Sequence, residues 1–160
     1  MTMVSTDVLS DPVLRDTICR SFGSEQDSMD PVLRRAEQLL AGRDFILWEG
    51  DAQTFQFSYV SPSAERMVVY PTARWTSEPT FWADTVVHPD DRNDAIAFCA
   101  LATGKCQDHD FVYLAIRADG GTVWLHDVVK VIRGPKLVAR TLRGIMLDVT
   151  ESQDGSGQSE

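Results

Sequence analysis

Cysteine is scarce in this chain of 160 residues, and the three that occur, Cys19, Cys99 and Cys106, are an odd number without paired spacing. This pattern argues against a disulfide framework and against a zinc site, so no metal site is predicted. Reduced thiols are typical of the cytoplasm, which is therefore the expected location. The sequence also lacks an apolar run of about 18 residues, so no membrane span is predicted. Its N-terminus has no basic start followed by an apolar stretch, so no secretory signal is predicted.

Basic residues are also few. The chain has 15 Lys and Arg against 24 Asp and Glu, which gives a net charge of −9. Nucleic acids and anionic membrane surfaces attract basic surfaces, so neither is an expected partner. Hydrophobic residues make up 43% of the sequence, which is enough to build one ordinary domain with flanking segments.

The common catalytic motifs are absent from the sequence. It contains no glycine-rich phosphate loop, no G-x-S-x-G and no H-E-x-x-H. The chain is therefore predicted not to be an enzyme, and no catalytic residue is assigned.

The stretch HPDDR, which begins at His88, concentrates charged residues. A metal site needs at least three convergent ligands, and only His88 and Asp91 have a suitable spacing. Pro89 suits the first position of a helix, and acidic residues just after it favour the positive end of the helix dipole. The stretch therefore predicts a helix start, with Arg92 and Asp94 on the solvated side.

The motif DPVLR occurs at 11–15 and again at 30–34. In each copy we expect the aspartate to cap a helix and the proline to occupy its first turn. Apolar residues after each copy follow the spacing of one helix face. Residues 1–41 are therefore predicted to form an extension with two amphipathic helices.

Aromatic and β-branched residues concentrate in five later segments. They predict strands at 44–50, 54–60, 109–118, 122–132 and 136–149. Short helical patterns lie between the second and third strands. This order fits an α+β fold with a five-stranded antiparallel sheet and helices over one face, which leaves a cavity between the layers. The acidic, Gly- and Ser-rich residues 152–160 predict a disordered tail or linker.

Four stretches in this order carry a family resemblance: WEGDAQTFQFSYVSPSAERM, HPDDR before a helix, RADGGTVWLHD and RGIMLDVTE. Together they resemble the PAS domain, most closely its third PAS-fold subclass with a C-terminal PAC-type motif. The resemblance covers residues 42–151, which we expect to form the domain. One departure is Val69, a position at which the family often has glycine.

The resemblance implies a sensory or regulatory domain of a bacterial signalling protein. Some members bind small molecules, and others bind none and mainly dimerise. Output usually leaves through the segment after the last strand, here Asp148 and Thr150. The expected partners are a second copy of the chain and an effector domain or partner signalling protein. No histidine suits a haem ligand and the family's reactive-cysteine flavin motif is absent, so no cofactor is expected, while an unidentified small molecule stays open.

Alignment of the DGG turn with pocket-containing members implies which side chains point into the cavity. The candidate ligand pocket consists of Met67, Trp82, Ile96, Phe111, Tyr113, Ala115, Leu125, Asp127, Val129 and Met146. The alternative is that these side chains only form a core. A carboxylate facing the core is costly without a partner. Asp127 is therefore expected to bond the Tyr113 hydroxyl, to bind a polar ligand group or to reach water at the rim.

On the same strand, the alternate residues Trp124 and His126 are expected on the opposite face of the sheet. An exposed tryptophan needs cover, and the amphipathic helix at 31–41 is an obvious source. The candidate homodimer contact comprises Leu33, Ala36, Leu40, Trp124 and His126. Packing of that helix within one chain is the alternative.

Two other functions stay open at this point. A ligand-free dimerisation module would have a filled core, whereas a ligand site needs a cavity of about 300 Å³ or more. A small acid/base enzyme would need Asp127 within about 3 Å of Tyr113 or His109 in an open cleft, as proton transfer requires.

Overall fold

The computed structural model describes residues 12–24 and 26–151, apart from the side chains of Pro12 and Leu14. The predicted tail and the proposed cap Asp11 lie outside this part of the chain. The helices are α1 (Pro12–Ser21), α2 (Met29–Leu39), α3 (Ser63–Met67), α4 (Thr72–Ser77) and α5 (Pro89–Gly104). The strands are β1 (Phe45–Asp51), β2 (Phe57–Val60), β3 (His109–Ile116), β4 (Thr122–Arg133) and β5 (Ala139–Asp148). A π-helical turn (Trp82–Val86) precedes α5, and a 3₁₀ turn (Pro135–Leu137) joins β4 to β5. The expectation that Asp30 caps a helix is wrong, because α2 already begins at Met29 with Ser28 at the N-cap position, and Asp30 lies in its first turn.

All five strands form one antiparallel sheet in the order β2-β1-β5-β4-β3. The predicted α+β class and five-stranded antiparallel sheet are therefore confirmed. β5 is last in the sequence but central in the sheet, where it pairs with β1 on one side and with β4 on the other. Its residues 142–147 are all buried, as expected for a strand that is covered on both faces.

The two faces of the sheet carry separate apolar clusters. The inner face is covered by α3, α4, the π-helical turn and α5, through side chains such as Ala64, Trp75 and Cys99. The outer face is covered by α1 and α2, through side chains such as Ile18 and Val32. Both N-terminal helices therefore pack against the sheet of their own chain.

The predicted β1–β2 hairpin is present, but β2 begins later than predicted, at Phe57. In the turn before it, the Asp51 carboxylate accepts hydrogen bonds from the backbone N–H groups of Gln53 (2.7 Å) and Thr54 (3.0 Å). Phe55 in the same turn has a φ of +61°, which is incompatible with a strand. Local bonds to the aspartate thus compete with strand pairing and shorten β2.

The HPDDR stretch begins α5. The Nδ1 of His88 accepts a hydrogen bond from the backbone N–H of Asp90 at 3.0 Å, so the histidine side chain caps the helix. The Asp91 carboxylate is buried and accepts a hydrogen bond from the backbone N–H of Leu114 at 2.8 Å. One acidic residue of the first turn therefore fastens α5 to β3.

The expectation of a solvated Arg92 is wrong. Its guanidinium is partly buried and donates to the backbone carbonyls of Ala83 (2.7 Å), Asp84 (2.8 Å) and Val87 (3.2 Å). Carbonyls at the end of a helical segment lack intrahelical donors, and the arginine supplies them. Arg92 thus holds the π-helical turn against the start of α5.

Val69 occupies a left-handed backbone position. Its φ is +70°, and its side chain is 41% exposed. A β-branched residue is strained in this region, because its Cβ approaches the following carbonyl oxygen. This is the position at which the family resemblance leads us to expect glycine.

We expect Val69→Gly to raise the free energy of unfolding by about 1 kcal/mol, because glycine adopts this conformation without the Cβ penalty. Val69→Ala keeps the Cβ, so its gain should be smaller. Urea denaturation of the wild type and both variants measures the difference. Equal stability of the wild type and Val69→Gly would contradict the strain at this position.

Candidate functional site

The space between the inner face of the sheet and its helices is filled by large side chains. The structure brings together there all of the residues proposed for the ligand pocket: Met67, Trp82, Ile96, Phe111, Tyr113, Ala115, Leu125, Asp127, Val129 and Met146. All of them are buried except Ile96, which is partly exposed. Their contact with a ligand stays a prediction.

Asp127 lies on β4 with its carboxylate inside this space, and it is 1% exposed. Its Oδ1 accepts a hydrogen bond from the indole N–H of Trp48 at 2.9 Å, and its Oδ2 accepts one from the hydroxyl of Tyr113 at 3.1 Å. The Tyr113 hydroxyl in turn accepts a hydrogen bond from the indole N–H of Trp82 at 2.9 Å. Four side chains from β1, β3, β4 and the π-helical turn thus form one buried polar network.

The charge of Asp127 is poorly compensated. Burial raises the pKa of its carboxyl group from 3.8 to about 7, although the hydrogen bonds from Trp48 and Tyr113 favour the charged form. No basic side chain of the described residues contacts it. Burial, followed by the nearby carboxylate, raises the pKa of Tyr113 well above its usual value. Asp127 therefore changes charge near neutral pH, while Tyr113 keeps its proton.

A small cavity lies beside the Asp127 carboxylate. Its volume is about 20 Å³, which is room for about one water molecule. It is lined by Trp48, Gly50, Phe55, Phe57, Trp82, Cys99, Phe111, Asp127 and Leu142. The first four belong to the β1–β2 hairpin, which the predicted pocket does not include. The volume is far below the roughly 300 Å³ of a typical ligand site, so the core is nearly filled in this conformation.

Trp48 is the main site residue that sequence reasoning missed. Its ring stacks on Phe57 with the centroids 4.8 Å apart, and it packs against Gly144 of β5. A Cβ at Gly144 would lie 2.3 Å from the Trp48 indole nitrogen, so only glycine leaves room for this ring. Alternation with the buried Ile46 places Trp48 on the inner face. The pairing of β1 with β5, which sets Gly144 opposite, is invisible in the local pattern.

The acid/base alternative meets one of its two requirements. Asp127 and Tyr113 are 3.1 Å apart, but neither is more than 1% exposed, so no open cleft reaches them. The ring of His109 instead contacts the Cys99 thiol at 3.4 Å and the Gln107 carbonyl at 2.9 Å, and burial lowers its pKa. Proton transfer to a substrate needs access that this arrangement lacks.

On the outer face, one arginine fastens the N-terminal helices to the sheet. Arg143 of β5 is 1% exposed, and its guanidinium donates to the Glu49 carboxylate at 3.0 Å. It also donates to the backbone carbonyls of Phe22 (2.8 Å), Ser24 (2.8 Å) and Asp27 (2.7 Å). These carbonyls lie between α1 and α2, so the arginine holds the connection between the two helices against β5.

The candidate dimer residues lie on this covered outer face. Ala36, Leu40 and His126 are buried within the chain, whereas Leu33 and Trp124 stay partly exposed. Packing within one chain therefore covers much of the apolar surface for which the sequence analysis offered a dimer contact as one explanation. A contact between two copies stays a prediction.

The end of β5 is joined to the start of β4. The backbone N–H of Val149 donates to the Trp124 carbonyl at 2.9 Å, and the backbone N–H of Trp124 donates to Thr150 Oγ1 at 2.9 Å. The exposed Asp148 carboxylate accepts a hydrogen bond from the backbone N–H of Thr150 at 2.9 Å. The two proposed output residues thus lie where the chain leaves the sheet, and their role in output stays a prediction.

Within residues 12–24 and 26–151, no group of histidine, cysteine, aspartate and glutamate side chains is arranged to hold a metal ion. Over the same residues, no helix combines the length and the apolar character that crossing a membrane requires.

Comparison with protein families matches the PAS fold over residues 57–146, which is more than half of the chain. The chain belongs to the PAS-fold family. Comparison with curated proteins gave no match.

Solved structures share the fold of this PAS domain. The N-terminal domain of a diguanylate cyclase with PAS/PAC sensor from Marinobacter aquaeolei is 32% identical, with a TM-score of 0.63 over 68% of this chain and 98% of that one. A sensory box histidine kinase/response regulator from Burkholderia thailandensis E264 is 20% identical, with a TM-score of 0.64 over 78% and 91%. A PAS domain from Colwellia psychrerythraea is 15% identical, with a TM-score of 0.59 over 75% and 98%.

We expect the buried Asp127 to make this PAS domain less stable as the pH rises. In the unfolded chain its carboxyl group ionises near 3.8, whereas in the folded chain it stays protonated up to about pH 7. The contribution of the protonated Asp127 carboxyl group to the free energy of unfolding is therefore fully present below about pH 4 and is lost as the pH rises through about 7. Asp127→Asn has no titrating group at this position and should lack this component.

The measurement is urea denaturation of both proteins at a series of pH values from about 4 to about 8. Other carboxyl groups act equally in both proteins, so they cancel in the difference between the two free energies of unfolding. That difference should change by about 2–4 kcal/mol in favour of the variant over this range. A difference that is independent of pH would show that Asp127 titrates normally.

Proposed function

We propose that this PAS domain is the sensory domain of a bacterial signalling protein and that it detects a small molecule at Asp127. The observation that carries the proposal is a fully buried carboxylate with a cavity beside it and no basic partner among the described residues. Membership of the PAS-fold family and the similarity to a PAS/PAC sensor from a diguanylate cyclase support a regulatory role.

A buried carboxylate of this kind has two states that differ in their hydrogen bonds. The ionised group accepts from both Trp48 and Tyr113. The protonated group carries its own O–H, which competes with one of these donors for space and direction. A ligand that brings a donor or a positive charge favours the ionised state, so its binding shifts the position of Trp48 or Tyr113.

The proposed route from Asp127 to the effector runs along β5. Asp127 is opposite Met146 in the β4–β5 pairing, and Trp48 is opposite Gly144 in the β1–β5 pairing. Both sides of the polar network therefore contact the same strand. This strand continues to the hydrogen bond between Trp124 and Thr150, where output would pass to an effector domain or a partner signalling protein.

The proposal includes a homodimer and a cytoplasmic location. Leu33 and Trp124 both pack against the outer-face cluster and stay partly exposed, so they offer a first contact surface for a second copy of the chain. Ala36, Leu40 and His126 are buried within one chain, so they would join a dimer contact only if α2 moved away from the sheet.

A second candidate function is the ligand-free dimerisation module. The cavity of about 20 Å³ favours it, because this volume admits no more than about one water molecule. In that case the Asp127 network would serve only to fix the packing of the core.

Native mass spectrometry of the protein isolated from cells tests the proposal. We expect the wild type to carry a non-covalent mass that is lost on denaturation. Asp127→Asn keeps the shape of the side chain but removes its charge. The dissociation constant should therefore rise about tenfold or more, because a hydrogen bond to a charged group contributes about 1.5–3 kcal/mol, and the occupied fraction of the variant should be clearly lower.

Asp110→Asn is the matched control, because Asp110 is a partly buried aspartate on the outer face of the sheet. Its occupancy should equal that of the wild type. Equal occupancy in Asp127→Asn and the wild type would contradict the role of Asp127. A protein without bound mass would instead favour the ligand-free module.

A further inference from the structure

Phe55 separates two spaces. On its inner side lies the cavity of about 20 Å³ beside Asp127. On its outer side lies a surface groove of about 460 Å³ between the β1–β2 turn, the end of α5 and the 3₁₀ turn. Phe55 lines both spaces, and its side chain is only partly buried. This side chain is therefore a wall between the groove and the buried site.

Strained backbone surrounds the groove side of this wall. Phe55, Cys106 and Leu137 have φ angles of +61°, +55° and +60°, although none of them is glycine. Leu137 is 70% exposed, and its neighbour Val138 is 54% exposed. Left-handed backbone costs a non-glycine residue about 1 kcal/mol or more. An arrangement of this wall that relaxed these residues would recover that cost.

The facing walls of the inner cavity are held more firmly. Trp48 stacks on Phe57 at an interplanar angle of 16°, and the indole N–H of Trp82 donates a hydrogen bond to the Tyr113 hydroxyl. Phe55 makes no ring contact with any described residue, and its turn is closed by a backbone bond to the Asp51 carbonyl at 2.8 Å. Its side chain can therefore rotate without breaking a ring stack or a side-chain hydrogen bond, and only its packing against the inner-face cluster opposes the movement.

We propose that Phe55 is the movable gate of a ligand site that extends, when the gate is open, from the surface groove to Asp127, and that its ligand is a compact alkylamine that carries an aromatic ring. The proposal rests on the sensory function proposed above and adds the access route and the chemical class of the ligand. The groove alone exceeds the roughly 300 Å³ of the smaller ligand sites, so the joined site has sufficient volume.

The ligand class follows from the chemistry of the walls. An ionised carboxylate has about four acceptor positions, and Trp48 and Tyr113 occupy two of those on Asp127. A protonated amine supplies further donors and the missing positive charge. The aromatic rings that line the cavity, which include Trp82 and Phe111, favour both a flat ring and a cation. An anionic ligand would instead meet an uncompensated carboxylate.

Labelling of Cys99 tests the gate, because this thiol lines the inner cavity and is 5% exposed. Methyl methanethiosulfonate is a small, neutral reagent, and peptide mapping separates its product at Cys99 from those at Cys19 and Cys106. We expect Phe55→Ala to raise the labelling rate of Cys99 about tenfold, and Phe55→Leu to raise it less. Burial raises the pKa of Cys99 to about 12, which slows its labelling, so all proteins are compared at about pH 8.5, where a primary alkylamine still carries its charge.

Tyr59→Ala is the matched control for the gate. Tyr59 is a partly buried aromatic residue of the same hairpin, but it packs against the outer-face cluster. A general loss of stability would raise Cys99 labelling in both variants, whereas an opened gate raises it only in the Phe55 variants. Equal rates in Phe55→Ala and Tyr59→Ala would overturn the proposal, even if native mass spectrometry showed a bound ligand at Asp127.

The probe for the ligand class is 2-phenylethylamine, with 3-phenylpropionate as its anionic counterpart. We expect the amine to slow Cys99 labelling about threefold at twice its dissociation constant, and Asp127→Asn to abolish this protection. The anion should give none. Protection by the anion, protection that survives Asp127→Asn, or no protection by the amine would each refute the ligand class.

Discussion

The structure depends on a carboxylate that has been taken out of water. Burial of an ion costs several kcal/mol, and the hydrogen bonds from Trp48 and Tyr113 recover part of this cost. The same bonds join β1, β3 and β4, and Trp82 adds the π-helical turn. One charged group thus fixes elements that are as far as 79 residues apart in the sequence. Because burial raises its pKa to about 7, the group that joins these elements also changes charge near neutral pH.

Two consecutive residues of β5 contact the layers on opposite faces of the sheet. On the inner face, Gly144 makes room for the Trp48 ring. On the outer face, Arg143 holds the connection between α1 and α2. In the pairing with β1, Trp48 is opposite Gly144 and Glu49 is opposite Arg143. The strand proposed to carry the output is therefore the strand to which both layers are attached.

Local sequence patterns were sufficient for the order of the helices and strands, and the family resemblance supplied part of the site. Strand alternation and helix-start residues depend on near neighbours, so they predict the order of the elements, whereas the inward direction of Asp127 is what the alignment of the DGG turn with family members implies. They do not reveal Trp48 as its partner, because strands far apart in the sequence must first pair. The burial of Arg92 depends on free carbonyls of a π-helical turn, and the turn at Phe55 depends on bonds to Asp51. The size of the cavity depends on how all side chains pack together.

An NMR titration of ¹⁵N-labelled protein tests most directly whether the charge of Asp127 is sensed at the end of β5. It follows the indole N–H of Trp48, which is bonded to Asp127, and the backbone N–H of Val149, which is bonded to Trp124. We expect both signals to shift with a common midpoint near pH 7, and Asp127→Asn to abolish both shifts. A Trp48 midpoint near the ordinary carboxyl value of 3.8, or a Val149 signal that does not follow that of Trp48, would contradict this.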